Sequence, residues 1–182
     1  SSMPVLNGLK ITASNNIITL VGSDIDLSIE TKIHANVEEE GAVVIDARLF
    51  GEIIRRLPDD EINILTVENN SVEILCQKSK FTLIHMNARD FPEIPNINEN
   101  MIFSIPQKTL KNMIRSVIFA TAQDETRPIL TGVLFEIKNK KLNLVALDGY
   151  RLALKSKYLN TDNTINAVIP GKTLNEVSKI LG

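Results

Sequence analysis

The chain has 182 residues, 43% of them hydrophobic, and a formal net charge of −2. No apolar run approaches the ~20 residues of a membrane-spanning helix, and no signal-peptide pattern opens the chain, so we expect a cytoplasmic protein that does not cross a membrane. Its single cysteine, Cys76, excludes an internal disulfide framework and fits a reducing compartment. Because Cys76 alternates with Val72 and Ile74, we predict a buried small hydrophobe rather than a nucleophile.

Short segments that alternate or are rich in β-branched residues predict strands along most of the chain. In chain order they are Ile17–Val21, Val43–Ile45, Ile62–Val67, Ser71–Cys76, Phe81–Met86, Phe103–Ile105, Val133–Ile137, Leu142–Ala146 and Val168–Ile169. Three windows show the spacing of amphipathic helices instead, and these are Ala47–Leu57, Gln107–Thr121 and Gly171–Leu181. Asp46 is a candidate cap for the first helix and Pro58 its stop, and hairpin turns are predicted at Glu68–Asn70 and Lys138–Lys140. The pattern predicts an α+β architecture with mostly antiparallel sheet.

The sequence repeats itself at an offset of 124 residues, as Pro4 and Pro128 illustrate. The segment from Pro4 to Asp24 aligns without a gap with the segment from Pro128 to Asp148. At the same offset, residues 43–57 align with residues 167–181. Two separate segments in one register indicate a duplicated unit.

The duplication predicts two domains, residues 1–100 and residues 101–182, joined by the Pro- and Asn-rich segment 89–100. The second copy carries the predicted strand and helix of Phe103–Thr121 ahead of its repeat element, and the first copy has no equivalent after Ser1. The first copy in turn runs on to Asn100, whereas the second stops at Gly182. We therefore expect a piece of a longer repeat protein, whose first domain lacks its first strand and helix and whose second domain is truncated at its C-terminal end.

Basic residues concentrate in the three helical windows. These windows hold eight of the 20 Lys and Arg residues of the chain but two of its 22 Asp and Glu residues. In each window two basic residues lie seven positions apart, and so share the helix face opposite the apolar stripe. The pairs are Arg48 and Arg55, Lys108 and Arg115, and Lys172 and Lys179. In a single helix this pattern is an ordinary solvated face, but in three helices it indicates a surface that attracts a phosphate backbone regardless of base sequence.

The sequence offers no catalytic or metal-binding constellation. His34 and His85 are isolated, and no Ser-His-Asp or Cys-His arrangement can be assembled around them. Asp24 and Asp148 are equivalent residues of the two copies, and each is predicted to close a turn by accepting backbone N–H bonds. We therefore expect a protein that is not an enzyme and that binds no cofactor and no metal.

Two segments resemble the bacterial DNA polymerase III β-subunit family, the sliding clamps of replication: DETRPILTG at 124–132 and LVALDGYRLAL at 144–154. The motifs at 89–92 and 168–170 also fit this family, and the resemblance covers essentially the whole chain. It implies the DNA-clamp fold, in which three similar domains per chain close head to tail into a homodimeric ring. Antiparallel sheets form the outside of that ring and helices line its hole, and the third domain would be absent here.

The resemblance implies a non-catalytic subunit of the DNA polymerase holoenzyme. Its ring encircles duplex DNA without reading the bases, and it raises the effective concentration of the polymerase at the primer end. The implied partners are double-stranded DNA, the DNA polymerase III catalytic subunit, the clamp loader and other peptide-motif proteins. The residues implied to face the DNA are Arg48, Arg55, Arg56, Lys108, Lys111, Arg115, Lys172 and Lys179.

The resemblance also implies a peptide pocket, of which the second domain supplies one half and the third domain the other. The residues of this half are Arg127, Leu130, Leu147, Gly149, Tyr150, Arg151 and Leu152. Leucine walls, aliphatic arginine stems and a glycine that permits close backbone approach suit a peptide with a hydrophobic end. Leu147 replaces a threonine that is frequent in the family, which makes that wall more apolar. Ordinary core packing would explain Leu130 and Leu152 equally well, and with half a pocket we expect weak peptide binding or none.

Two alternatives stay open at this stage. The first is a clamp-fold protein-interaction module that never encircles DNA, which differs from a ring in that it is not retained on circular DNA. The second is an enzyme that uses Asp24 and Asp148 with nearby Lys or Arg residues. A metal-dependent activity abolished by Asp148→Ala would favour this enzyme.

Overall fold

The structure is a computed structural model of the 182-residue chain, and it describes residues 3–24, 26–94 and 102–182. The chain divides into two compact units, Ser1–Pro95 and Asn96–Gly182. The first unit contains β1 Gly8–Ser14, β2 Ile17–Ser23, β3 Ser28–His34, β4 Gly41–Asp46, α1 Ala47–Ile54, β5 Asn63–Val67, β6 Ser71–Cys76 and β7 Ser79–Asn87. The second contains α2 Gln107–Val117, β8 Gly132–Lys138, β9 Lys141–Leu147, β10 Leu152–Tyr158, β11 Ile165–Pro170 and α3 Gly171–Ile180. This is the predicted α+β architecture.

Both units are built on the same strand ladders, and all paired strands are antiparallel. The sheet of the first unit runs β3-β2-β1-β4-β7-β6-β5, and that of the second runs β10-β9-β8-β11. Gly8 pairs with Asp46 in the first unit, and Gly132 pairs with Pro170 in the second. Each of these residues differs from its counterpart by the offset of the sequence repeat. The duplication inferred from the sequence is therefore confirmed in the strand register.

The glycine shared by the two repeat elements is explained by close packing. A Cβ at Gly8 would collide with the side chain of Val44, and a Cβ at Gly132 would collide with the side chain of Val168. Val44 and Val168 are themselves equivalent positions of the repeat. The two copies thus keep the same approach of one strand to its neighbour.

The two predicted hairpin turns are confirmed by their backbone conformation. Asn69 and Asn70 have φ angles of 61° and 53°, and Asn139 and Lys140 have 52° and 61°. Two consecutive residues with positive φ are the signature of a type I′ turn, which matches the twist of the strands it joins. Asparagine adopts this conformation more readily than most residues with a side chain.

The helices of each unit cover apolar side chains of its sheet. In the second unit the core forms where α2 and α3 meet β8 and β9, around Met113, Ile114, Val133 and Leu144. In the first unit the core contains Phe50 of α1 together with Ile11, Val43, Ile45, Val72 and Ile74 of the strands. Cys76 is 2% exposed, which confirms the prediction of a buried hydrophobe. Asp46 caps α1 as predicted, because its carboxylate accepts the N–H of Leu49 at 2.8 Å.

The three predicted helices are shorter than their sequence windows, α3 by its last residue alone. Helix α1 ends at Ile54, and residues 55–57 form a tighter turn in which the N–H of Arg56 donates to the carbonyl of Ile53. Pro58 accounts for this early end, because it has no N–H for the carbonyl of Ile54, four residues before it, and its ring clashes with that carbonyl in a helix. Helix α2 ends at Val117 and continues as a 3₁₀ turn, Ile118–Ala120.

The predicted strand Phe103–Ile105 does not form. Phe103 and Ile105 are partly buried against the core of the second unit, whereas their neighbours are exposed. The alternation in the sequence therefore corresponds to an alternation in burial. A strand also needs a hydrogen-bonding neighbour, and among residues 102–182 no strand pairs with this segment. In the opposite direction, β1, β3 and β10 were not among the predicted strands. In β3 the residues Ile29 and Ile33 alternate with charged ones, but all seven residues of the strand are exposed.

The predicted linker 89–100 is wrong in its first part. Residues 88–90 form a 3₁₀ turn, and Phe91 is 3% exposed in a small core with Val5, Val21 and Val44. This segment therefore packs onto the first unit. The rest of the predicted linker, residues 95–100, lies outside the described residues.

Candidate nucleic-acid interface and peptide surface

The basic residues of α1 lie on the side of the helix that faces away from the core. Phe50 is buried, and at about 100° per residue Arg48 and Arg55 lie roughly 140–160° around the helix from it. Both arginines are exposed, and so is Arg56, which lies with Arg55 in the turn that follows α1. Leu49 lies at the edge of the apolar stripe and is 49% exposed.

Helix α3 presents its basic residues in the same way. Leu174 is 3% exposed and occupies the repeat position of Phe50. Lys172 and Lys179 are both exposed, and they stand in the same angular relation to Leu174 as the arginines of α1 to Phe50. The duplication has therefore kept an exposed basic pair opposite the buried anchor of each helix.

Helix α2 separates its three basic residues into two environments. Lys108 and Arg115 are exposed on the side opposite Met113 and Ile114, which are buried. Lys111 lies on the flank of the apolar stripe, and its Nζ donates to the main-chain carbonyl of Leu181 at 2.7 Å. This ammonium group neutralises the carbonyl end of α3, where a positive charge is favourable. Lys111 therefore links α2 to the C-terminal end of α3.

The remaining basic residues keep their charges available. Arg48 pairs with Glu52 at 3.2 Å and Lys179 with Glu176 at 2.7 Å, whereas Lys172 is 3.7 Å from Glu125. Ion pairs as exposed as these contribute little and exchange easily for another anion. The Nε of Arg55 donates to the carbonyl of Gly51 at 2.9 Å. Within the described residues no ion pair or side-chain hydrogen bond is made by the exposed side chains of Arg56, Lys108 and Arg115.

Asp148 organises the turn between β9 and β10. Its Oδ1 accepts the N–H of Tyr150 at 2.9 Å and that of Arg151 at 3.0 Å, and its Oδ2 accepts the Nε of Arg151 at 2.8 Å. The two backbone bonds, followed by the bond and charge of Arg151, hold the pKa of Asp148 below its ordinary value. The predicted role of Asp148 in a turn is confirmed.

Asp24 makes the same turn in the first unit. Its Oδ1 accepts the N–H of Asp26 at 2.8 Å and that of Leu27 at 2.7 Å. Because both carboxylates serve turns, the observation behind the enzyme alternative has an ordinary structural explanation. The offset of the repeat places Leu27 where the second unit has Arg151, and Met3 where it has Arg127. The turn of the first unit therefore forms without arginines. Formation of the turn does not explain why the second unit has Arg127 and Arg151.

Arg127 and Gly149 meet at the tip of this turn. The Nη2 of Arg127 donates to the carbonyl of Asp148 at 3.3 Å. Gly149 has a φ of +97°, a conformation that other residues rarely adopt. A Cβ at this position would lie 3.2 Å from Nη1 of Arg127, so any larger residue would press on the guanidinium group.

The apolar candidates of the peptide surface differ in exposure. Leu130 and Leu147 are half-buried, whereas Leu152 is 64% exposed and Tyr150 is 98% exposed. Core packing therefore does not explain Leu152. The second unit presents exposed apolar and aromatic groups beside two arginines, which is the composition of a surface that binds a partially apolar peptide.

Phe119 was not among the candidate residues, and the structure adds it to this surface. Its ring is 58% exposed, and the Cζ of Arg151 lies 5.8 Å from the ring centroid. The sequence signal was an aromatic residue at the end of an otherwise basic and aliphatic helical window. Only the fold shows that this ring lies against Arg151.

Residues 3–24, 26–94 and 102–182 contain no group of three or more His, Cys, Asp or Glu side chains placed to hold a metal ion. None of the helices within these ranges is long and apolar enough to span a membrane.

Two family profiles match the chain along nearly its whole length. The DNA polymerase III beta subunit N-terminal domain matches residues 1–95, and the central domain of the same subunit matches residues 104–182. The chain belongs to the DNA polymerase III beta subunit family. The resemblance stated from the sequence is thereby confirmed.

Relatives in this family agree in sequence and in structure. The beta sliding clamps of Halalkalibacterium halodurans and Bacillus subtilis are each 40% identical over 100% of this chain, which covers 51% and 50% of their lengths. The crystal structure of the Bacillus subtilis DNA polymerase sliding clamp is 38% identical, with a TM-score of 0.95, over 100% of this chain and 50% of that one. The DNA polymerase III subunit beta of Pseudomonas aeruginosa is 29% identical, with a TM-score of 0.91, over 98% of this chain and 50% of that one. The chain thus spans about half the length of the relatives it matches, and its clamp fold is confirmed.

Proposed function

We propose that this chain acts in DNA replication as part of a non-catalytic sliding clamp, which encircles duplex DNA and tethers the replicative polymerase and other partners. Membership of the beta subunit family supports this function, as do the names of the relatives. In this proposal, residues 1–100 and 101–182 form the first and second clamp domains of a homodimeric ring in the cytoplasm.

The observation that carries the proposal is the exposed basic pair that recurs in α1 and α3. Arg48 and Arg55 in the first unit, and Lys172 and Lys179 in the second, occupy equivalent positions on the side of the helix away from the core. A ring that slides must attract the phosphate backbone without fixing on a base sequence. Lysine and arginine side chains with weak or no partners meet this requirement, because each can exchange one phosphate for the next.

Among the basic residues, we propose that Lys108 and Arg115 also face the DNA, together with Arg56. Lys111 has a weaker claim, because its ammonium group is already bonded to the carbonyl of Leu181. It would contribute to the electrostatic field of the surface without forming a close contact with a phosphate.

We further propose that the surface formed by Arg127, Leu130, Leu147 and Gly149–Leu152 is the second-domain half of a peptide pocket for the polymerase catalytic subunit, the clamp loader and other peptide-motif proteins. The support is that the arginines occur in the second unit and not in the equivalent turn of the first. Leu152 and Tyr150 are exposed beside them, ready to contact a partner.

The experiment is a retention assay on DNA of two topologies. The protein, as its gene encodes it, is placed on a nicked circular plasmid by the clamp loader of the same organism, and the plasmid is then cut once. We expect retention on the circle and loss after linearisation, because a ring slides off a free end. Equal retention on both forms would contradict encirclement, and loading on neither would favour the interaction module.

A further inference from the structure

Phe119 is a large apolar side chain held in solvent by a rigid part of the second unit. It lies in the 3₁₀ turn that follows α2, and its ring is 58% exposed. The residues around it are fixed, because Val117 and Ala120 are fully buried and Thr121 is 5% exposed. The Oγ1 of Thr121 also donates to the carbonyl of Ile118 at 2.8 Å, which closes the turn. The backbone therefore holds the ring outward at a fixed position.

The ring of Phe119 lies against the side chain of Arg151. The guanidinium carbon lies 5.8 Å from the ring centroid, within the range of a cation–π interaction. On its Nε side the same guanidinium group is bound to Asp148 at 2.8 Å. Within the described residues its two terminal nitrogens have no hydrogen-bond partner. The guanidinium group of Arg151 is thus held by the ring of Phe119 and by the carboxylate of Asp148. Its two terminal nitrogens remain free to donate hydrogen bonds.

The turn of the first unit shows that these contacts are not required for folding. Leu27 stands at the position equivalent to Arg151, and the Asp24 turn forms with the same backbone bonds. The backbone bonds of Asp148 therefore suffice to form the turn, and the contact between Phe119 and Arg151 is not needed for it. What the contact adds is the restriction of a side chain that otherwise samples many rotamers.

We propose that Phe119 is a positioning residue of the peptide surface, which holds Arg151 so that its terminal nitrogens meet a carboxylate or carbonyl oxygen of the partner peptide. This inference rests on the proposed peptide-binding function of the same surface. An arginine that is already ordered loses less conformational freedom on binding, and so binds more tightly. Its free terminal nitrogens can form the bidentate bonds with which guanidinium groups recognise carboxylates.

The test uses fluorescence anisotropy with a labelled peptide made from the C-terminal residues of the same organism's replicative polymerase. The protein is the full product of its gene, as wild type and as Phe119→Leu, Phe119→Tyr, Arg151→Ala and the double variant Phe119→Leu/Arg151→Ala. Leucine keeps an apolar group without the π face, whereas tyrosine keeps both. We expect Phe119→Leu to weaken binding ~2- to 5-fold, since this is the range of exposed cation–π contacts, and Phe119→Tyr to bind like the wild type. In the Arg151→Ala background, Phe119→Leu should change affinity by less than about twofold.

The double variant separates the possible failures. If Phe119→Leu weakens binding equally with and without Arg151, the ring contacts the peptide itself and the positioning role is wrong. If Arg151→Ala weakens binding but Phe119→Leu does not, the positioning role is wrong and the proposed peptide surface stands. If Arg151→Ala has no effect, both the surface and the positioning role are wrong. Melting temperatures are measured in parallel, and because Phe119 is exposed we expect each variant to melt close to the wild type.

Discussion

Truncation of Leu152 to alanine separates a binding role of this residue from a structural one. Its side chain is 64% exposed, so about a third of the burial energy of a leucine is at stake. Full burial of a leucine is worth ~1.5–3 kcal/mol, and the expected loss of stability is therefore about 0.5–1 kcal/mol. In a chain of this size, that loss lowers the melting temperature by about 1–4 °C.

The expected loss of affinity is larger than the loss of stability. A peptide anchor on an apolar contact typically contributes ~1–3 kcal/mol, which corresponds to a ~5- to 150-fold weaker dissociation constant after truncation. The assay pairs a thermal melt with the anisotropy of the labelled polymerase peptide. Retention on circular DNA should not change, because Leu152 lies outside the basic helices.

Two leucines of the same unit are the controls. Leu154 lies two residues further along β10, on the same face, and is 59% exposed, so Leu154→Ala should give the same small shift in melting and bind peptide normally. Leu144 is fully buried, and Leu144→Ala should cost ~2–5 kcal/mol of stability. If Leu152→Ala melts like Leu144→Ala, or if Leu154→Ala weakens the peptide equally, the assignment of Leu152 to the peptide surface is refuted.

Three further predictions concern the basic helices and the Asp148 turn. Reversing Arg55 and Lys179 to glutamate should leave the fold intact and flatten the dependence of DNA affinity on salt by ~0.9 in the log–log slope for each lost phosphate contact. The matched reversal Lys138→Glu, on a strand, should leave the slope unchanged. Lys111→Met should instead lower the free energy of unfolding by ~0.5–1.5 kcal/mol, because the bond to the Leu181 carbonyl is lost. Its effect on the salt dependence of DNA affinity should be smaller, and an unchanged melting temperature would contradict the structural role of Lys111. The pKa of Asp148 is lowered, so its contribution to stability is complete at neutral pH and is lost only as the pH falls below the ordinary value of 3.8. Asp148→Asn should therefore have a lower melting temperature than the wild type near pH 7. This difference in melting temperature should shrink near pH 3.

Local and periodic features of the fold were open to prediction from the sequence. The helix windows follow from the spacing of residues such as Phe50, Met113 and Leu174, and the two Asx turns follow from the duplicated Asp24 and Asp148. These features depend on residues a few positions apart, so the sequence contains the whole cause. The duplication strengthened each of them, because the same pattern had to hold in both copies.

Features that depend on distant residues could not be predicted in this way. The bond from Lys111 to the Leu181 carbonyl joins positions 70 residues apart, and residue spacing cannot predict a contact over that separation. The contact of Phe119 with Arg151 joins the end of a helix to a turn between strands. Alternation at Phe103 and Ile105 predicted a strand, but pairing depends on a neighbour that spacing cannot specify.

The exposed strand β3 has a consequence for how the protein avoids aggregation. It is one of the two outer strands of the seven-stranded sheet, all seven of its residues are exposed, and Ile29 and Ile33 are 44% and 50% exposed. Such an edge is a template on which any extended chain can pair. Glu30 and Lys32 lie in the middle of β3, and Nζ of Lys32 is 2.9 Å from Oε1 of Glu30. A strand that paired with this edge would have to desolvate both charges. Charged side chains on an exposed edge strand of this kind disfavour indiscriminate β-aggregation.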